Sequence, residues 1–382
     1  MIIISDTEEY HNTMKAKLLL TLLAFFAQHA LFAQTDSSDF GHNFELLFSK
    51  FDDSFRGPNK ARVVFWNVEN LFDTYDNPET NDDEFTPYGD KHWNEKKYQK
   101  KLQDLSKTLI AVGGWEPAEV ICLAEVENLK VVEDLVNTTG LKENNYSIIH
   151  KDSPDKRGID VAFLYRPEKF KVIKYHHIKV TFSEEGSRPT RDILYVRGML
   201  NKEVEVHIFV NHWPSRFGGH MVTDPKRRRA ADIVRSKVDS ILRVDTKANI
   251  IITGDFNDEP EDGSITENLG AKLDTANLNW KDLYNAMGPL RHSAGTHKFA
   301  GQWGILDQFF VSKPIVKGEH RLQMMYKSAG IFSAPFLLEN DATHLGHKLH
   351  RTYLGPKYVG GYSDHLPIYL DLQILNKTLL DF

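Results

Sequence analysis

Cysteine is almost missing from this sequence. Among 382 residues only Cys122 is present, so no intrachain disulfide can form. It lies in the apolar run Val120-Ile121-Cys122-Leu123, a setting that suits a small core residue better than a nucleophile. An excess of positive charge is missing too. The 47 Lys and Arg against 53 Asp and Glu leave a formal net charge of −6, so any contact with a polyanion must be local. No uninterrupted apolar run reaches the ~20 residues that cross a bilayer. No Gly/Ser linker and no internal repeat divides the chain. These absences exclude a disulfide scaffold, a polytopic membrane protein and a repeat array. What is there, 41% hydrophobic and 26% charged residues, is the mixture of a soluble globular protein. The length suits two average domains or one large one.

One segment departs from that average. Lys15 and Lys17 precede the apolar run from Leu18 to Ala27, and Phe32-Ala33-Gln34 follows. A basic start, a short apolar core and a small residue at the end have the form of a secretory signal peptide; the alternative is a buried core helix. Met14 is then a candidate start, with 1–13 as an extension. The expectation is a secreted or periplasmic chain that begins near Gln34 and keeps no transmembrane anchor after cleavage. Residues 1–33 are extension and signal, 34–60 a lead-in segment with a helix packing on the domain, and 61–382 one large domain.

Short β-branched and aromatic runs predict strands at 62–66, 120–124, 146–150, 160–165, 193–200, 204–211, 249–253, 305–311 and 366–372. Several are continuously apolar, which places them between two covered faces. Helical spacing is clear at 94–112, through Tyr98, Leu102, Leu105 and Leu109, and at 225–244, through Ala230, Val234, Val238 and Ile241. Many strands with few helices in one block point to two stacked sheets covered by helices.

Polar residues cluster where these apolar runs end. Val63 to Trp66 delivers Asn67 and Glu69, and Val120 to Ala124 delivers Glu125. His207 to Val210 delivers Asn211 and His212, and Ile250 to Gly254 delivers Asp255 and Asn257. Asp307 sits inside Ile305 to Val311, and Ser363-Asp364-His365 leads into the last strand. An unpaired carboxylate so close to a buried strand costs several kcal/mol, and five of them ask for a shared partner. A divalent cation is the simplest one. Oxygen donors with histidine and no thiolate cluster favour Mg²⁺, with Mn²⁺ or Ca²⁺ as alternatives, over structural zinc.

Asn67-Val68-Glu69, Leu123-Ala124-Glu125, Asn211-His212, Gly254-Asp255-Phe256-Asn257 and Ser363-Asp364-His365 fall in the order seen in the endonuclease/exonuclease/phosphatase superfamily. The chain resembles that superfamily, the DNase I-like fold, from about Arg62 to Leu372. The resemblance implies an α/β fold, a four-layer α/β/β/α sandwich of two stacked mixed β-sheets flanked by helices. It also implies metal-dependent phosphoester hydrolysis at one end of the sheets. Carried over residue by residue, it makes Glu125 the principal metal ligand, with Asn67 and Glu69 beside it and Asp364 in reach. The family's first motif often carries Asp where this chain has Glu69. Asp255 would orient or deprotonate the attacking water, and Asn257 would bond the phosphate or leaving oxygen. His212 and His365 would donate to phosphoryl oxygens, and Asp307 would fix the tautomer of His365. The substrate is a phosphoester, with a nuclease or phosphodiesterase ranked first. A phosphatase or phospholipase-type enzyme acting on inositol phosphates or lipid head groups comes second. A non-catalytic binding protein on the same fold is the third reading, disfavoured because every one of these residues is retained.

Weaker signals surround this set. Arg157, Arg191 and Arg351 are candidate phosphate contacts, with surface ion pairing as the alternative for Arg191. Lys226-Arg227-Arg228-Arg229 reads as a solvated helix face rather than a polyanion patch. The acidic loop from Asp73 to Trp93 reads as plain loop rather than a Ca²⁺ site, having no EF-hand spacing. His344, His347 and His350 lack the partners of a zinc site. The span from Lys313 to Tyr362 is long for a connection, and Arg351, Tyr353 and Tyr358 mark it as a candidate specificity loop.

Overall fold

A computed structural model describes residues 51–182 and 188–376 of the chain. The signal-like segment and most of the lead-in lie outside the described residues. Of the lead-in, 51–60 carries no helix. It lies along the domain, with Phe51 edge-on to Phe332 at 4.8 Å and to Tyr369 at 5.3 Å.

Two sheets form the centre. In the first, β1 (Lys60–Leu71) and β2 (Val120–Val126) run parallel, while β3 (Ser147–His150) and β4 (Asp160–Tyr165) extend the sheet beyond β2. The second sheet opens with β5 (Phe170–Ile178), β6 (Ile193–Leu200), β7 (Val204–His212) and β8 (Ile250–Asp255), of which β7 and β8 are parallel. It continues through β9 (Ala271–Lys272), β10 (Leu283–Asn285) and, past a hairpin of β11 (His297–Phe299) and β12 (Gln302–Gly304), β13 (Asp307–Ser312). The chain then returns to the first sheet with β14 (Leu322–Ile331). Two hairpins follow, β15 (Leu338–Asn340) with β16 (His347–Leu349) and β17 (Tyr353–Leu354) with β18 (Lys357–Tyr358), before the last strand β19 (Ile368–Ile374). The spatial orders are β14-β19-β1-β2-β4-β3 and β5-β6-β7-β8-β13-β10-β9. Both sheets are mixed, and their central strands are buried on both faces, as continuous apolar runs require.

Helices cover the outer faces. α1 (Glu95–Gly113) is capped by Asn94, whose side chain accepts from the Lys97 N–H, and stops at Gly114 with φ of 74°. Its buried stripe is Tyr98, Leu102, Leu105, Leu109 and Val112. α2 (Leu129–Asn137), which the sequence reading missed, is capped in the same way by Asn128. α3 (His220–Val244) packs Ala230, Val234 and Val238 against Phe209, Ile250, Ile252 and Phe310 of the second sheet. It begins five residues before the expected Pro225. A proline there removes only the one N–H that would reach the Met221 carbonyl, and the turn before it survives. The one-turn α4 (Lys313–Lys317) leads into β14.

Two expectations need correction. The span from Lys313 to Tyr362 is not one loop: β14 is a full edge strand paired to β19, and only the two hairpins project. Lys226 to Arg229 is not simply a solvated face either. Arg227 is fully buried, with Nε 2.7 Å from Asp258, because its position on α3 faces the domain.

Candidate active site

The register of the second sheet draws up the first half of the site. His212 on β7 lies opposite Asp255 on β8, which lies opposite Asp307 on β13, giving three polar residues in one row across three strands. Gly254 makes the close approach possible, since a Cβ there would stand 2.3 Å from the Asn211 carbonyl oxygen. The first sheet supplies the other half through an irregularity. Asn67 pairs with Ala124 and Leu71 with Val126, so Val68, Glu69 and Asn70 bulge against the single residue Glu125. Glu69, Asn70 and Glu125 all take left-handed backbone, with φ of 52°, 55° and 64°, as does Asn257 at 52°. Such outliers in non-glycine residues cluster at functional sites.

Hydrogen bonds join the halves. Asn67 Nδ2 donates to Asp255 Oδ2 at 3.0 Å, and the Asn257 N–H donates to Asp255 Oδ1 at 2.9 Å. His365 comes from a third element and is held from three sides. Its Nδ1 lies 2.7 Å from Asp307 Oδ2, its N–H donates to Ser363 Oγ, and its carbonyl accepts from Trp66 Nε1. Nε2 of His365 and Nε2 of His212 are each 3.7 Å from Asp255 Oδ2, and His212 Nε2 is 3.8 Å from Glu125 Oε1. Glu125 Oε2 accepts the Asn70 N–H at 3.0 Å.

Burial and neighbouring charge set the protonation states. Burial pushes Asp255 up to about 7, with Asp307 adding to the effect against His365. Burial opposes charge on His365, yet Asp307 and Asp255 together lift it well above the ordinary imidazole range. His212 goes the other way, held well below that range by burial and by Arg191. The result is one cationic and one neutral imidazole on either side of a carboxyl poised near neutrality.

The set Asn67, Glu125, His212, Asp255, Asn257, Asp307 and His365 is therefore one constellation. The other expected residues are placed differently. Glu69 is held from the far side of the chain: Arg351 Nε donates to its Oε1 at 2.9 Å and the Thr352 N–H to its Oε2 at 2.8 Å. Each of its oxygens thus accepts one hydrogen bond, as Asn67 Oδ1 does from the Glu69 N–H. Asp364 shares the same guanidinium, with Oδ2 accepting from Arg351 at 2.9 Å. Arg351 is thus shared by two acids, through Nε and Nη2. Arg191 is buried beneath the floor, its guanidinium donating to Asp155 Oδ2 and the Trp213 carbonyl. Of the three arginines only Arg157 stands at the mouth, half-exposed and 3.9 Å from Glu125.

Three residues were missed. Lys101 lies buried under Glu69, its ammonium donating to Thr352 Oγ1 and the Tyr362 carbonyl, and burial pushes it down to about 8. It sits on the apolar stripe of α1, and a lysine in that place was a visible signal. Asp155 neutralises Arg191. His297 packs its ring 4.8 Å from that of His365, and no sequence pattern marked it.

Oxygen donors on two strands, an imidazole beside them and no thiolate suit a hard divalent cation. Glu125 Oε1 fits the part, since only its partner oxygen is tied to the backbone. Among the described residues Asp255, Asp307 and His365 form one group within metal-binding distance of one another, and His297, Asp364 and His365 another; Glu125 belongs to neither. His344, His347 and His350 form no such group among the described residues.

A sequence model described as the endonuclease/exonuclease/phosphatase family matches residues 62–374. No curated protein matches. Solved structures share the fold at low identity. The mannosyl-6-phosphatase Bt3783 of Bacteroides thetaiotaomicron superposes with a TM-score of 0.52 at 14% identity, over 82% of this chain and 99% of its own. A D. rerio TDP2 humanized by 14 mutations gives 0.51 at 14%, over 82% and 99%. The human Nocturnin catalytic domain gives 0.50 at 16%, over 83% and 95%.

Proposed function

The chain belongs to the endonuclease/exonuclease/phosphatase family and is a metal-dependent phosphoester hydrolase; on that premise we propose a Mg²⁺-dependent enzyme, working outside the cytoplasm, that attacks compact phosphoesters with water. The observation that carries the reading is Asp255, a buried carboxyl held between His212 and His365, with each imidazole Nε2 3.7 Å from its Oδ2. A cation bound at Glu125 and Asn67 would supply positive charge to the phosphoryl oxygens. Asp255 accepts the proton of the attacking water as its oxygen bonds to phosphorus. The cationic His365, fixed by Asp307, donates to a phosphoryl oxygen where charge develops. Neutral His212 keeps its place beside Glu125 without repelling the cation. Asn257, whose Nδ2 donates to the Trp213 carbonyl, stands beside the departing oxygen. The bond from phosphorus to the alcohol breaks, and the proton taken by Asp255 returns through solvent to the alcohol.

Charge pairing favours compact substrates. Arg191, Arg351, Lys101 and Arg216 each sit on an acid or a carbonyl, and Arg157, half-exposed at the mouth, is itself 3.9 Å from Glu125 and 4.0 Å from Asp155. A polynucleotide needs a row of unpaired cations. A nuclease is the second reading, favoured by Arg157 and by Phe217, 93% exposed on the loop whose Arg216 donates to the Asn257 carbonyl. Export rests on Lys15, Lys17 and the run from Leu18 to Ala27.

The test is a panel of aryl phosphomonoesters and diesters, DNA, RNA, inositol phosphates and sphingomyelin, with Mg²⁺, Mn²⁺, Ca²⁺ or chelator. Turnover of small esters, fastest with Mg²⁺ and lost with chelator, is expected; inactivity on every ester with every ion rejects the reading. Amino-terminal sequencing of secreted material should begin near Gln34.

A further inference from the structure

Three chemistry-bearing side chains outside the catalytic cluster meet at the neck of the loop between β3 and β4, residues 151–159. His150 ends β3, Asp152 follows it, and Asp160 opens β4. The register brings them together, because His150 pairs with Ala162, two residues into the facing strand. One nitrogen of His150 and one oxygen from each aspartate lie within 4.8 Å of one another.

What sets this group apart from an ordinary pairing of acids and histidine is a stranded atom. The His150 side chain is 1% exposed, and its Nε2, 3.8 Å from Asp160 Oδ2, has no hydrogen-bond partner. A buried polar atom left this way costs about 1–3 kcal/mol. The gap is too long for a hydrogen bond. Nor do the two groups form an ion pair at neutral pH, since burial pushes His150 down to about 4 and Asp160 up to about 7. The imidazole is therefore neutral, with a lone pair to give. Asp160 Oδ1 is satisfied by the Ser153 N–H at 2.9 Å, and Oδ2 faces the ring. Ser153 Oγ is also buried without a partner. So is Nε2 of His177 on β5, whose charge is felt at His150.

A shared cation accounts for the spacing. Zinc bonds an imidazole nitrogen at ~2.0–2.1 Å and a carboxylate oxygen at ~2.0–2.2 Å, which sets two ligands of one tetrahedral ion ~3.4 Å apart. A small rotation of either side chain brings His150 and Asp160 to that separation. Asp152, its side chain 78% exposed, can turn in as the third ligand. The nitrogen donor decides between cations: imidazole suits zinc, whereas Mg²⁺ and Ca²⁺ take oxygen.

We propose that His150, Asp152 and Asp160 bind a second divalent cation, zinc, separate from the one at Glu125, and that it clasps the neck of the 151–159 loop. Water completes its shell. The clasp bears on the active site through what the loop carries. Asp155 Oδ2 accepts from Arg191, and the Arg157 N–H donates to Asp155 Oδ1. The Arg157 guanidinium stands 3.9 Å from Glu125.

The experiment takes the full enzyme, His150→Gln and Asp152→Asn, each in excess Mg²⁺, and counts zinc bound per chain by equilibrium dialysis against Zn²⁺. Wild type should hold one zinc more than either variant, resistant to excess Mg²⁺ or Ca²⁺, and the variants should bind it about tenfold or more weakly. Asp152 is exposed, so its variant tests the site even where His150→Gln fails to fold. Trypsin supplies a second readout, because Lys156 and Arg157 are exposed on the loop. Zinc should slow cleavage after these residues several-fold in wild type and leave Asp152→Asn unprotected. Equal zinc binding by wild type and Asp152→Asn overturns the proposal. So does a wild type that binds no zinc, which would leave His150 bonded to water only, or one whose zinc is displaced by Mg²⁺.

Discussion

Asp307 Oδ2 lies 2.7 Å from His365 Nδ1, joining residues 58 positions apart on two different elements. Asp307 is itself fixed, because its N–H and that of Leu306 both donate to the buried Thr296 hydroxyl. This bond leaves Nε2 of His365 directed at Asp255. Asp307→Asn should therefore lower kcat on an activated phosphoester by ~10²-fold or more, and His365→Ala by at least as much, with unchanged circular dichroism. Near wild-type turnover in either folded variant would remove His365 from the mechanism.

Glu125 offers its free oxygen where Asn70 fixes the other. Glu125→Gln keeps the shape and removes the charge. The concentration of Mg²⁺ giving half-maximal rate should rise by about tenfold or more, together with a fall in kcat; loss of a mere supporting partner of a metal already costs ~10–100-fold in affinity. Glu69→Gln should shift that midpoint far less, since both Glu69 oxygens already accept hydrogen bonds from Arg351 and Thr352. Metal titration of the two variants side by side distinguishes them.

Gly254 faces Asn211 across the parallel pair β7/β8, where a methyl group would meet the Asn211 carbonyl oxygen at 2.3 Å. Gly254→Ala should destabilise the domain by ~1–3 kcal/mol, the usual cost of overpacking. Denaturant unfolding reads the loss directly, and activity should fall with it because Asp255 and His212 ride on the displaced strands.

Asp160 lies buried at the start of β4, accepting the Ser153 N–H at 2.9 Å, and burial pushes its carboxyl up from 3.8 to about 7. A folded pKa above the unfolded one means that the native state holds a proton the unfolded chain has released. Its contribution to stability is present below pH 4 and lost as pH rises through 7. Asp160→Asn removes that slope, so the melting temperature of wild type should fall more steeply than the variant's between pH 4 and pH 7. Parallel curves would show that Asp160 is ionised in the fold at little cost.

The strands that carry the chemistry were readable because their burial on both faces wrote continuous apolar runs, each ending abruptly in Asn67, Glu125, His212 or Asp255. The order of those endings was legible, and so were the two sheets. Edge elements were not. β5 is largely exposed and lacks a clear alternation, and β14 hid in a span that looked like one long insertion. The partners of Glu69 were invisible for a different reason. Arg351 is 282 residues away, and nothing in either local sequence says that a guanidinium will close on that carboxylate. Arg191 shows the converse error, a cation near the right place whose side chain turns inward to Asp155.

The break in pairing between β1 and β2 has a consequence for how this enzyme tolerates change. Glu125 is left out of register with both neighbouring strands. Its aim is thus a property of the backbone's length at that point rather than of the residue that occupies it. Exchanging the side chain leaves the position in place. Deleting Glu125 would let the ladder with β4 close up, and the period of two would carry whatever follows to the opposite surface of the sheet. A deletion at this one step is therefore equivalent to removing the centre altogether.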